Sequence, residues 1–150
     1  MAEEDFSELE KRICDVFKIN QLTVQQKTAI QGVLDGNDVF MGTKTGSGKS
    51  LVYESVPILF GGGCCVVIAP LLSIMKEQCE RLNSLNFRAT YIGRDHKEDK
   101  GIKNGIFNFV FASPEMLLGE AGWKQMFLTE HFRKALKLLV VDGAHTVMQW

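Results

Sequence analysis

The chain has 150 residues, enough for one domain with a single filled core, and its 45% hydrophobic and 23% charged residues are ordinary for a soluble globular protein. A net charge of −1, from 17 basic and 18 acidic residues, gives no chain-wide argument for a polyanionic or membrane partner and leaves only local clustering to supply one. The acidic start Met1-Ala2-Glu3-Glu4-Asp5 excludes a secretory signal, and no apolar stretch reaches the roughly 18 residues of a membrane span, so an intracellular place is expected: nuclear in a eukaryote, otherwise cytoplasmic.

From Phe6 to Phe17, charges alternate with Leu9, Ile13, Val16 and Phe17 at the spacing of an amphipathic helix. Thr23-Val24-Gln25-Gln26 then has the form of a capping box, with Thr23 as N-cap, opening a helix to about Leu34 that Asp35-Gly36-Asn37 stops. Val39 to Met41 reads as a short buried strand. A helix begins near Gly48 or Lys49 and runs through Ser55, with Pro57 kinking or ending it. Cys64 to Ala69 is a continuous apolar run, as in a parallel strand buried on both faces. Pro70 to about Leu85 is a helix with Leu71, Ile74, Met75, Cys79 and Leu82 on its core side. Ala89 to Ile92 and Phe107 to Ala112 are strands, separated by a charged loop or short helix from Arg94 to Lys103. Ser113-Pro114-Glu115 starts a short helix, Gly122 to Lys134 is helical, and Leu136 to Val141 is the last strand. The four cysteines, Cys14, Cys64, Cys65 and Cys79, have no zinc-ligand spacing and read as buried reduced thiols. Alternating strands and helices predict a three-layer α/β domain with a mostly parallel sheet.

Thr45-Gly46-Ser47-Gly48-Lys49-Ser50 carries most of a phosphate-binding loop, placed between a predicted strand and a predicted helix. Thr43 stands where the strict G-x-x-x-x-G-K-[ST] pattern has its first glycine. Gly46 and Gly48 let the backbone curl so that successive N–H groups face an anion, and the helix start adds partial positive charge. Lys49 neutralises the β- and γ-phosphates, and the Ser50 hydroxyl is a ligand for Mg²⁺. Taken alone, these residues would also suit a glycine-rich turn with an exposed lysine. Leu138-Leu139-Val140-Val141-Asp142 sets an aspartate at the end of an apolar strand, where phosphate-loop ATPases hold Mg²⁺, usually through water. Its plainer alternative is a turn or helix-cap residue.

With these residues in place, the chain from about Cys14 to Trp150 resembles the first motor lobe of RecQ-type DNA helicases. Five blocks carry the resemblance, in the family's order. Phe17 to Ile30 resembles the segment in which a glutamine reads the adenine edge, a role that falls to Gln26. Met41 to Ser50 resembles the helicase form of the phosphate loop. Val67-Ile68-Ala69-Pro70-Leu71-Leu72-Ser73-Ile74-Met75-Lys76-Glu77-Gln78 resembles S-P-L-x-S-L-M-x-D-Q. Phe111-Ala112-Ser113-Pro114-Glu115-Met116-Leu117 resembles the S-P-E-R-L block, and Asp142-Gly143-Ala144-His145-Thr146-Val147-Met148-Gln149-Trp150 resembles D-E-A-H-C-I-S-Q-W. The resemblance implies a RecA-like P-loop NTPase fold, with residues 1–20 as a helical lead-in and 21–150 as the ATP-binding lobe. It implies ATP and Mg²⁺ as ligands, Lys49, Asp142 and His145 as catalytic residues, and Gln26 with Thr45 to Ser50 as the nucleotide contacts. Ser73, Lys76, Ser113, Gln149 and Trp150 become the contacts to single-stranded or forked DNA, with Ile74 and Met75 left to the core.

Three departures temper these expectations. Gly143 stands where the family's glutamate polarises the attacking water, a general base worth roughly 10²–10⁴-fold in rate, so ATP binding with weakened hydrolysis is expected. The sequence ends at Trp150, before the rest of the aromatic-rich loop and the second motor lobe, so this chain alone is not expected to unwind DNA. Ile19 and Thr23 replace an aromatic residue and an arginine, which predicts weaker adenine binding. A helicase-like nucleotide- or partner-binding module without turnover is therefore the main alternative. An unrelated phosphate-loop enzyme such as a kinase leaves the Pro70 and Ser113 blocks without a role.

Overall fold

The structure, a computed structural model, describes residues 3–36, 49–69, 72–119 and 123–141. The chain folds as two compact units, Met1–Gly62 and Gly63–Trp150.

The first unit is helical among the described residues. Helix α1, Glu3–Phe17, buries Ile13 of the expected stripe and half-buries Leu9, Val16 and Phe17, with Cys14 buried beside them. It ends at Lys18, whose φ of 57° lies in the left-handed region, and the Ile19 N–H reaches back to the Cys14 carbonyl at 3.0 Å, the bond that closes many helix ends. Helix α2, Val24–Leu34, opens on the complete capping box: the Gln26 N–H donates to Thr23 Oγ1 at 3.1 Å, and the Thr23 N–H donates to Gln26 Oε1 at 2.9 Å. Ala29, Ile30 and Val33 are its buried face, and Asp35 and Gly36 close it. The helix expected after the phosphate loop is two short ones, α3, Lys49–Glu54, and α4, Val56–Leu59. Pro57 explains the division, since a residue without an N–H is accommodated only in a helix's first turn. Ser55 sits at the break, where its hydroxyl donates to the Val52 carbonyl at 2.7 Å. The strand expected at Val39 to Met41 lies outside the described residues.

The second unit is built on a parallel four-stranded sheet, with strands β1, Cys64–Ile68, β2, Ala89–Tyr91, β3, Phe109–Ala112, and β4, Leu136–Val141, in the order β2-β3-β1-β4. Every residue of β1 and β3 is buried, as continuous apolar runs covered on both faces require. On one face, Cys64, Val66, Ile68, Val110 and Ala112 form a cluster with Ile92, Ile102, Leu117, Trp123, Met126 and Phe132. On the other face, Phe109 takes an edge-to-face contact from Phe87 at 5.4 Å. The pairing of β1 with β4 shifts between Cys64 and Cys65, so Lys137 is one extra residue in β4. Gly63 lies against that bulge with φ at +96°; a Cβ there would come within 2.6 Å of the Lys137 side chain.

Helix α5, Leu72–Ser84, packs on β2 and β3 and buries Met75, Cys79 and Leu82. Ile74 does not share this face: it is 40% exposed. The stripe at 75, 79 and 82 is narrow, and position 74 stands about 100° round the helix from it. The charged loop forms a 3-10 turn at His96–Glu98 and helix α6, Asp99–Lys103. The Glu98 carboxylate accepts from the buried Thr90 hydroxyl at 2.6 Å and lies 3.6 Å from Arg94. Asn83 of α5 bonds the outermost strand, donating to the Ala89 carbonyl at 3.0 Å and accepting from the Ala89 N–H at 2.9 Å. Helix α7, Pro114–Leu118, follows β3. The helical stretch expected from Gly122 to Lys134 is two helices, α8, Trp123–Met126, and α9, Glu130–Ala135. Thr129 divides them: its hydroxyl accepts from the Phe132 N–H as the N-cap of α9.

Candidate functional site

Gln26 is the third residue of α2, 7% exposed, and its carbonyl oxygen is fixed by the Thr23 N–H. That bond settles which way round the amide lies, with oxygen toward Thr23. A glutamine amide has one carbonyl oxygen with two lone pairs and two N–H donors, the complement of the N6 and N7 edge of adenine. Thr23, where the resemblance expects arginine, has become the N-cap that holds this amide. Ile19 is half-buried just after α1.

Lys49 lies on α3, the helix that follows the phosphate-loop residues in the chain. Ser50 follows in the first turn, half-buried, and its hydroxyl makes no side-chain hydrogen bond among the described residues. A hydroxyl so placed fits the part of a Mg²⁺ ligand. Thr45, Gly46, Ser47, Gly48, Asp142, His145, Gln149 and Trp150 lie outside the described residues.

In the second unit the carboxyl ends of the strands gather the remaining positions. Strands β1 and β3 are neighbours in register Ile68 to Ala112, and the Ala69 N–H donates to the Ala112 carbonyl at 2.9 Å. Helix α5, with Ser73 and Lys76, and helix α7, with Ser113 as its cap, therefore follow adjacent strands in the chain. Ser73 and Lys76 are both exposed on α5. Ser113 caps α7, its Oγ accepting from the Met116 N–H at 3.3 Å, and its hydroxyl proton remains to be donated. Val141, directly before Asp142, pairs with Ile68 at that same edge. Open parallel sheets bind their ligands outside the carboxyl ends of the strands, so the edge is the chemically expected one.

A sequence profile of the DEAD/DEAH box helicases matches residues 23–150. The chain belongs to the DEAD/DEAH box helicase family. Its curated relatives are of the RecQ type named by the sequence blocks. It is 33% identical over 148 residues to the ATP-dependent helicase SGS1 of Saccharomyces cerevisiae, a match covering 93% of this chain and 10% of that protein. It is 30% identical over 142 residues to the RecQ-like DNA helicase BLM of Xenopus laevis, covering 89% of this chain and 10% of that one. The chain thus spans about a tenth of the length of these relatives. Among solved structures, the DUF1998 helicase MrfA bound to DNA and AMPPNP superposes with a TM-score of 0.70 at 19% identity, covering 95% of this chain and 21% of that one. That likeness bears on fold, and with the parallel sheet it gives the α/β, RecA-like P-loop NTPase class expected from the sequence. Among the described residues, no helix is long and apolar enough to cross a membrane.

Proposed function

We propose that this family member is the ATP-binding motor lobe of a RecQ-like 3′-to-5′ DNA helicase, with residues 1–20 as a helical lead-in and 21–150 as the lobe. The observation that carries the reading is the match to the helicase family across residues 23–150, which takes in four of the five ordered blocks whole and the part of the first that holds Gln26. Gln26 reads the adenine edge, Thr45 to Gly48 cradle the phosphates through backbone N–H groups, and Lys49 neutralises them. Ser50 and Asp142 hold Mg²⁺, which when bound offsets the charge of the β- and γ-phosphates. His145 couples the strand-end motif to the nucleotide. Ser73, Lys76, Ser113, Gln149 and Trp150 contact single-stranded DNA, and a second motor lobe completes both clefts.

Gly143 favours a second reading of the same site, a lobe that binds nucleotide with little turnover. With no side chain at 143, the attacking water lacks a general base. Nucleotide binding to the full chain, followed with a ribose-labelled ATP analogue, and single-turnover hydrolysis with DNA, separate the two. Binding in both the wild type and Gly143→Glu is expected, with hydrolysis faster by about 10²-fold or more in the variant. Equal rates would refute the role given to Gly143. Nucleotide binding that Lys49→Ala leaves unchanged would refute the ATP site itself.

A further inference from the structure

The edge of the sheet opposite the candidate site, at the amino ends of the strands, is a row of cations. Arg88 immediately precedes β2, and its guanidinium lies 5.9 Å from the centre of the Phe107 ring. Its N–H donates to Asn108 Oδ1 at 3.0 Å, and Asn108 Nδ2 donates to the Gly63 carbonyl at 3.2 Å, so one side chain binds together the entries to β2, β3 and β1. Gly63 abuts Lys137 on the bulge of β4, and Lys137 Nζ donates to the Lys134 carbonyl at 3.2 Å. Lys103, two residues before Gly105, sits with its ammonium 5.0 Å over Trp123, and Gly105 in turn abuts Ala135. Arg88, Lys103, Lys134 and Lys137 are all exposed. Only Lys134 has a carboxylate partner among the described residues, Glu130 at 3.6 Å, and both of those side chains are more than three-quarters exposed. Exposed pairs of that kind contribute little and are readily exchanged.

Three features define what such an edge would bind. From β2 to β4 it crosses three strand spacings, about 14 Å. One strand of a DNA duplex presents a phosphate every 3.4 Å of axis, so the row spans about four of them. The two rings that the cations cover are not laid open for stacking: Trp123 is 4% exposed beneath the Lys103 ammonium, and Phe107 is partly buried beneath the Arg88 guanidinium. Single-stranded DNA is held by stacking bases on exposed rings, and among the described residues the rings beneath this row are buried or partly buried and already covered by a cation. The edge offers an excess of positive charge, four cations against the exposed carboxylate of Glu130, which is what sequence-independent contact to a duplex backbone uses.

We infer that the amino-terminal edge of the sheet, through Arg88, Lys103, Lys134 and Lys137, is a second nucleic-acid surface, one that takes the phosphate backbone of duplex DNA. The inference rests on the reading of the chain as a DNA-acting lobe, and it adds a contact remote from Ser73, Lys76 and Ser113.

The test is the salt dependence of binding of the full chain to a fluorescein-labelled duplex, measured by anisotropy. Replacing the four cations together (R88E/K103E/K134E/K137E) is expected to flatten the slope of log affinity against log salt by about 3.6, at roughly 0.9 for each phosphate no longer neutralised. The four-fold glutamine variant at the same positions carries the same expectation should the reversed charges disturb folding, and thermal melting reports which variant is sound. An unchanged slope overturns the inference. So does weakened binding to polyglutamate with duplex binding intact, which marks an acidic protein as the partner. Duplex binding abolished by Ser73→Ala with Lys76→Ala and untouched by the edge variants overturns the inference alone and leaves the DNA reading standing. A wild-type chain that binds neither duplex nor single-stranded DNA removes both.

Discussion

Thr23→Ala probes the point at which local folding and the proposed nucleotide chemistry meet. The substitution removes the Oγ1 that accepts the Gln26 N–H at 3.1 Å, leaving one of the first-turn donors of α2 without its acceptor. Loss of such a cap costs about 1 kcal/mol, within a range of about 0.5–2. The reciprocal bond, Thr23 N–H to Gln26 Oε1 at 2.9 Å, survives in this variant and is lost in Gln26→Ala. For a chain of this size each kcal/mol moves the melting midpoint by roughly 2–4 °C, so Thr23→Ala is expected to melt about 3 °C lower and Thr23→Ser close to the wild type. The two single variants share one motif, so their combined cost is expected to differ from the sum by about 0.5 kcal/mol or more. If Gln26 reads adenine, Thr23→Ala also weakens a ribose-labelled ATP analogue more than Thr23→Ser does. The assays are thermal melting by circular dichroism and fluorescence titration with the analogue. A serine variant as unstable as the alanine one, or an alanine variant that melts with the wild type, refutes the capping argument.

Two further outcomes follow from the geometry of the second unit. Gly63→Ala is expected to destabilise by about 1–3 kcal/mol, because the added Cβ meets Lys137 at 2.6 Å and the Ala135 carbonyl at 3.2 Å on a backbone with φ at +96°. Gly36→Ala, with φ at +78° and nothing within 4 Å, is expected to cost less, and equal losses in urea titrations would contradict the crowding at the bulge. Burial raises the thiols of Cys64 and Cys79 from 9.0 to about 12, so both are expected to resist a disulfide reagent at pH 8 until the chain unfolds. The same shift makes each thiol ionise sooner in the unfolded chain, so its contribution to stability is intact below pH 9 and declines from there toward pH 12. Prompt labelling of the native protein at either position would contradict this burial.

The strands of the second unit were legible because each physical signal there is undiluted. Cys64 to Ile68 and Phe109 to Ala112 are apolar without interruption and are the two central strands, and the last strand begins at Leu136 as expected, with Lys137 the single charge within it. The capping box was equally plain, since Thr23 and Gln26 carry it within four residues. The exposure of Ile74 was not legible, because an apolar residue beside a helical stripe satisfies the same spacing rule as one within it. The division at Thr129 carried a signal, a threonine before Glu130, masked by the good helix formers on both sides. Of the candidate site, Gln26, Ser50, Ser73, Lys76 and Ser113 lie among the described residues. The row at the opposite edge left no trace in the sequence. Arg88, Lys103, Lys134 and Lys137 are spread over fifty positions in a chain of net charge −1, and only the register of β2, β3, β1 and β4 brings their surroundings together.

The amide of Asn83 has a consequence for the chain's company. β2 is the outermost strand on its side of the sheet, and its backbone pairs inward to β3 through alternate residues, leaving the polar groups of Ala89 and Tyr91 turned outward. Asn83 occupies both groups of Ala89, and the Arg94 N–H occupies the Tyr91 carbonyl at 3.2 Å. A foreign strand arriving at this margin finds nearly every peptide group already bonded from within. Extension of the sheet into ordered aggregates, the usual hazard of a bare outer strand, is blocked here by a helix side chain and a turn of the same chain.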